Sequence, residues 1–373
     1  MKREFLNFIN FLSKNYQFWI PSFKFYLNFI YKKIILKFNF SPKFNYPTRA
    51  FPLIKLFKSR YRYIENIDFK NYDSTILFEI KTALVNINLY SNLNWDDVQI
   101  KCKNDPESFA QIKRWYWLIY DTKEKSFSEK KKSLDYWINY YNRDKTTNWE
   151  SYDVSERISS LTTFYILNSN LKALKKEINS NLEWKIFFNN STNYLLNNLE
   201  YYPDGITYNH VVNNLKGLLS LAILLDDDDL ITHVSKLFFK ELNIIIDEEG
   251  FNREGSSHYQ LIFTRWICEL EWILSKSNKI ELTDKLSLFS NKMLDKCFFY
   301  FIYSPSEKKI KIPLIGDVSP DFDVEWIVDY FSNLLISNIN FKNISYGNIV
   351  LNDLNCNETY DLESLTNNNT IQN

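Results

Sequence analysis

The chain has 373 residues, of which 45% are apolar and 24% charged, and Lys plus Arg equals Asp plus Glu at 45 each. That length is enough to bury the core of one large or two ordinary domains, and the even charge balance lends no support to nucleic-acid binding. The four cysteines, Cys102, Cys268, Cys297 and Cys356, are widely separated and only three histidines exist, which argues against a zinc site and demands no oxidising compartment.

In chain order, residues 1–69 read as a basic, aromatic arm. Lys14, Lys24, Lys32, Lys33 and Lys37 interrupt its apolar runs, so neither a secretory signal nor a spanning helix is expected there. Two readings stay open for the arm: a helical segment packed on its own domain, or a peripheral contact with a membrane surface. The corresponding location is cytoplasmic or membrane-peripheral.

Glycine and proline are scarce, at 6 and 9, and helical periodicity dominates the next part of the chain. The spacing of apolar residues predicts helices over 108–120, 155–169, 184–199, 208–225, 229–246, 256–276 and 281–303. Their lengths and short polar connections suggest antiparallel helical pairs, in a body spanning 70–305. The run Asp226–Asp229 reads as a junction between helices rather than a calcium loop, because it lacks spaced oxygen ligands and a glycine. From 306 to 373 the character changes. KKIKIPLIGDVSP and NISYGNIVLND read as short strands, and SLTNNNTIQN reads as a disordered tail.

Rare residues gather in one stretch. Gly205, Gly217, Gly250 and Gly255, four of the six glycines, share it with all three histidines, His210, His233 and His258. Pro203-Asp204-Gly205 forms a turn before a helix whose apolar face is Val211, Val212, Leu215, Leu218, Leu219 and Ala222. Asn209, Asn213, Lys216 and Ser220 fall on another stripe, either a solvated face or the hydrogen-bonding wall of a cleft. Further on, Gly250 and Gly255 bracket a loop, Ser256 or Ser257 caps the following helix, and Tyr259 lies in its first turn.

Taken together, Asn209-His210-Val211-Val212-Asn213 with Lys216-Gly217, and Glu254 with Ser256 and Tyr259, resemble the two signatures of the heparinase II/III-like family of polysaccharide lyases. Two flanking stretches are similar as well: the helix with Trp149, Val154, Arg157 and Ile158, and the Gly316-Asp317 segment. The likeness covers about residues 100–325. It implies a mainly α fold, an incomplete (α/α) toroid of antiparallel helical pairs with a short β-containing C-terminal tail. It also implies β-elimination on a uronic-acid polysaccharide. In that scheme Asn209 or His210 neutralises the uronate carboxylate and Tyr259 is the acid that protonates O4, in some members also the base. Arg253 or His210 would lower the phenol, and Glu254 and Arg157 would fix loop and helix behind the site. Asn213, Lys216 and Arg253 would contact the sugar. No cofactor and no metal are expected, and the partner is an acidic polysaccharide or oligosaccharide.

Many members carry a further histidine in a β-sheet region beyond the toroid. Here the third histidine, His233, falls in the helical part, and the sequence stops where that region would begin. That departure leaves room for a truncated copy, for a partner chain that supplies the β-sheet domain, or for a non-catalytic glycan-binding protein linked to surface polysaccharide. A third class, glycoside hydrolysis, needs two facing carboxyl groups, with Asp204, Asp247, Glu254 and Asp317 as candidates.

Overall fold

The computed structural model divides the chain into residues 1–45 and 46–373. It describes residues 46–58, 60–64, 78–81, 86–89, 102, 106–120, 127–143, 149–168, 170–201, 207–300, 302–304, 309–318, 349–350 and 359–360. The basic arm up to residue 45, the Pro203-Asp204-Gly205 turn, Cys356 and the polar tail lie outside the described residues.

The described part is mainly helical. In chain order it contains α1 (Phe51–Phe57), α2 (Pro106–Lys113), α3 (Trp117–Tyr120), α4 (Phe127–Arg143), α5 (Ser151–Asn168) and α6 (Leu171–Ser180). These are followed by α7 (Leu182–Asn197), α8 (Asn209–Leu224), α9 (Asp228–Ile245), α10 (Ser257–Lys276) and α11 (Ile280–Phe299). Three short antiparallel strand pairs accompany them: β1 (Phe78–Lys81) with β2 (Asn86–Leu89), β3 (Ile302–Ser304) with β4 (Lys309–Lys311), and β5 (Ile349–Val350) with β6 (Thr359–Tyr360).

Local chemistry sets the helix starts. Asn170 accepts a hydrogen bond from the Ala173 N–H, Asn181 from Glu183 and Trp184, Asp227 from Leu230 and Ser256 from Tyr259, so each closes an open first turn. Of the Asp226–Asp229 run, Asp226 turns the chain at φ +54°, Asp227 caps α9, and Asp228 and Asp229 sit in its first turn. The reading of that run as a helix junction agrees with this.

Sequential helices pack side by side, α6 with α7, α8 with α9 and α10 with α11, and α8 also touches α5, α7 and α10. Being enclosed on so many sides, α8 buries all of its residues except His210. Gly217 is the close point, because a Cβ there would lie 2.6 Å from Ser155 Oγ and 2.7 Å from Ser155 Cα.

The structure corrects the sequence reading in three places. First, the helical body begins before residue 70. Tyr46 donates to the Asn197 carbonyl at 2.8 Å, the Arg49 guanidinium meets Glu241 at 2.6 Å, and α1 inserts Leu53 and Phe57 into the core. Second, the stripe Asn213, Lys216 and Ser220 is neither solvated nor a cleft wall. All three are buried at 1% exposure or less against neighbouring helices. Third, α1, α4 and α6 go unpredicted, and the expected helix 108–120 breaks between α2 and α3. There Trp115 adopts φ +57° and stacks on Phe187 at 5.6 Å between ring centres.

One buried ion network ties α5, α8 and α10 together. Glu156 receives Lys216 Nζ at 2.5 Å, the Tyr116 hydroxyl at 2.6 Å, and Arg265. The Lys216 ammonium also lies 4.8 Å from the centre of the Trp266 ring. Burial pushes the Glu156 carboxyl up, but Arg265 and Lys216 outweigh it and hold the group down at about 2.

Candidate active site

Chain reversals at one end of α8, α9 and α10 bring a pocket of about 380 Å³ together. Thr207, Tyr208 and Asn209 enter it from the start of α8, and Ile244 and Ile245 from the last turn of α9. Arg253 and Glu254 come from the connecting loop, Tyr259 from the first turn of α10, and Asp317 from the segment after β4.

The loop is held in one shape by its own polar groups. Asp247 Oδ1 accepts the N–H groups of Glu249, Gly250 and Phe251. Gly250, at φ +102°, lies against the Lys292 backbone, where a Cβ would meet atoms at 2.8 Å. Gln260 on α10 reaches back, accepting from Asn252 N at 2.7 Å and donating to the Gly250 carbonyl at 3.0 Å. The same loop supplies the cap that Tyr208 does not give α8. Glu254 accepts from Asn209 N at 2.9 Å and from Asn209 Nδ2 at 3.2 Å. A carboxylate at that helix terminus is favoured by the helix dipole. Burial of the Glu254 carboxyl still raises its pKa, offset in part by the two Asn209 hydrogen bonds, and nearby Asp317 adds to the rise.

Asp317 is brought in by a stitched segment. Ser257 donates to the Pro313 carbonyl at 2.5 Å, Ser257 N donates to the Ile315 carbonyl at 3.1 Å, and the Ser256 hydroxyl donates to the Asp317 carbonyl. Gly316, at φ +76°, allows the close pass, since a Cβ there would come within 2.7 Å of the Gly255 carbonyl oxygen. On the opposite wall, Arg49 Nη2 donates to Thr207 Oγ1 at 2.9 Å, and Glu241 takes both Arg49 and the Thr207 hydroxyl.

Of the candidate residues read from the sequence, Asn209, Arg253, Glu254 and Tyr259 share this pocket. His210 stands beside it, stacked on the pocket residue Tyr208 with 4.9 Å between ring centres. Three candidates are excluded from any sugar-contacting surface by burial. Asn213 donates to the Tyr152 carbonyl at 3.2 Å, Lys216 is committed to Glu156, and Arg157 lies 3.6 Å over the Tyr141 ring and donates to the Lys113 carbonyl at 2.9 Å. Arg157 therefore braces α5 against the end of α2, well inside the core. His258 is buried against Tyr259, with 5.5 Å between the rings, and His233 on α9 packs against Phe57 of α1.

Thr207, Tyr208, Ile244 and Ile245 had no sequence signal. Asp317 had one only as a lone candidate carboxylate. Among the described residues no group of three or more His, Cys, Asp or Glu is arranged to hold a metal ion, and no helix is long and apolar enough to cross a membrane. No protein-family model matches this sequence, and no curated protein and no solved structure matches it.

Proposed function

We propose that the protein acts on an acidic polysaccharide by β-elimination, with the pocket between the starts of α8 and α10 as its active site. The supporting observation is that Asn209 and Tyr259, 50 positions apart in sequence, line one pocket together with Arg253. The packing of successive helices α6–α7, α8–α9 and α10–α11 is compatible with an (α/α) toroid as the underlying body.

In this reading Arg253 and the second amide proton of Asn209 hold the uronate carboxylate. The other amide proton is engaged by Glu254, which keeps the Asn209 side chain fixed. Neutralising that carboxylate lets charge move into it as the C5 proton leaves. Removing one such donor costs roughly 100- to 1000-fold. The C5–H bond breaks, a C4–C5 double bond forms, and the bond from C4 to the bridging oxygen breaks. Tyr259, entering as the phenolate, takes the C5 proton and passes it to that oxygen, so that it ends the cycle as it began.

The test is an ultraviolet assay for the unsaturated product on uronate polymers. Tyr259→Phe is expected to lower the rate roughly 100- to 10000-fold while leaving the folded helix signal intact. Activity retained by the Phe variant would remove Tyr259 from the reaction.

A second reading has one observation in its favour. Glu254 and Asp317 line the same pocket, and Asp317 contributes to the raised pKa of Glu254. Two carboxyl groups lining one pocket are what glycoside hydrolysis uses. Saturated products with a new reducing end would select hydrolysis, and Tyr259→Phe would then leave most of the rate.

A further inference from the structure

The environment of His210 is built more carefully than a surface histidine requires. Its Nδ1 is shut off from solvent and lies 3.3 Å from Glu200 Oε1, close but not in line for a hydrogen bond. The carboxylate is itself clamped by the fully buried Asn214, which donates from Nδ2 to Glu200 Oε2 at 3.0 Å and accepts from Glu200 N at 2.9 Å. In the neutral ring a lone pair on Nδ1 facing that carboxylate would be repelled, which favours the tautomer with the proton on Nδ1 and the acceptor on Nε2. The imidazole side chain is 38% exposed. Tyr208 stacks on it at 4.9 Å and 22°, and Tyr152 lies against it at 4.9 Å and 57°. Tyr208 and Tyr152 are each half-buried, and Tyr208 is also a wall of the pocket. Tyr208 therefore joins this ring cluster to the pocket wall.

From this we infer that Tyr208, His210 and Tyr152 form a second sugar subsite next to the pocket, and that Glu200, held by Asn214, is the positioning residue for its histidine. The inference rests on the pocket being the sugar site proposed above. The ligand is the sugar unit linked to the one in the pocket. Its apolar C–H face lies on the rings and one of its hydroxyl groups donates to His210 Nε2. The pocket's volume limits it to a short piece of chain, and the subsite extends the contact to the next unit.

Two measurements on the full chain test this. Calorimetry with an unsaturated uronate disaccharide and the corresponding tetrasaccharide, on a Tyr259→Phe background that leaves the ligands intact, reads the gain from extra length. The tetrasaccharide is expected to bind about tenfold more tightly, the increment of one good polar contact with its stacking. Glu200→Ala is expected to abolish that increment and leave disaccharide binding unchanged. Nitrogen-15 spectra of the imidazoles, only three in the chain, are expected to give the Nδ1–H form for His210 and to lose it in Glu200→Ala. An unchanged length increment in Glu200→Ala, or an Nε2–H tautomer in the unmodified protein, overturns the subsite. Failure of the disaccharide itself to bind overturns the pocket reading on which it stands.

Discussion

Replacing Glu156 with Gln tests whether the ion network inside the helical body is as strongly coupled as its geometry implies. Glu156, Lys216 and Arg265 are each about 1% exposed at the side chain. The substitution keeps the volume and removes only the charge, leaving an ammonium and a guanidinium in the core. The next carboxylate, Glu269, is 3.9 Å from Arg265 Nε, too far to replace the lost contacts. Removing one partner of a buried pair costs about 3–5 kcal/mol. At roughly 2–4 °C per kcal/mol for a body of this size, the Tm is expected to fall by roughly 6–20 °C at pH 7. The acid side gives an independent check. The folded-state pKa of Glu156 lies at about 2, below its ordinary 4.5. Its contribution is therefore complete above 4.5 and is lost as pH falls from there towards 2. Thermal unfolding followed by circular dichroism from pH 7 down to pH 2 reads both effects. A Tm change below about 2 °C at pH 7, smaller than about 1 kcal/mol can produce, would refute the reasoning. So would acid curves that run parallel in the two proteins.

Two further outcomes follow from local packing. Gly217→Ala gains about 1 kcal/mol of helix propensity but drives a methyl into the Ser155 backbone. A net loss of about 1–3 kcal/mol is expected in urea unfolding, and a gain would mean that α5 and α8 separate easily. Asp227→Ala removes the cap of α9 together with the acceptor for the Tyr61 hydroxyl at 2.6 Å. Its expected cost is about 1–2 kcal/mol in the same assay, with Asp227→Asn recovering most of it.

The sequence was most readable where one residue type acts on its immediate neighbours. The helix junction at Asp226–Asp229, a serine cap at Ser256 or Ser257, the loop bracketed by Gly250 and Gly255, and the long apolar periods of α8, α9 and α10 were all visible there, and the structure contains them, with Ser256 as the cap. What was not visible depends on partners distant along the chain. The Asn213–Lys216–Ser220 stripe has the composition of a wet face. It is dry because Glu156 on α5 and Arg265 on α10 complete a network around Lys216. α4 escaped notice because Lys130, Lys131, Lys132 and other polar residues mask its apolar spacing, although Leu134, Ile138 and Tyr141 are fully buried. In the site, Asn209 and Tyr259 were singled out by the resemblance of their motifs to the lyase signatures. Glu254 as the cap of α8, and Tyr208 as the ring linking His210 to the pocket, emerge only when three chain segments meet.

The stitching of Pro313–Asp317 onto Ser256 and Ser257 has a mechanical consequence. Ser256 both receives the Tyr259 N–H and gives its own hydroxyl proton to the Asp317 carbonyl. Tension applied at residue 317 would thus reach the hydroxyl that caps the first turn of α10, the turn that carries Tyr259.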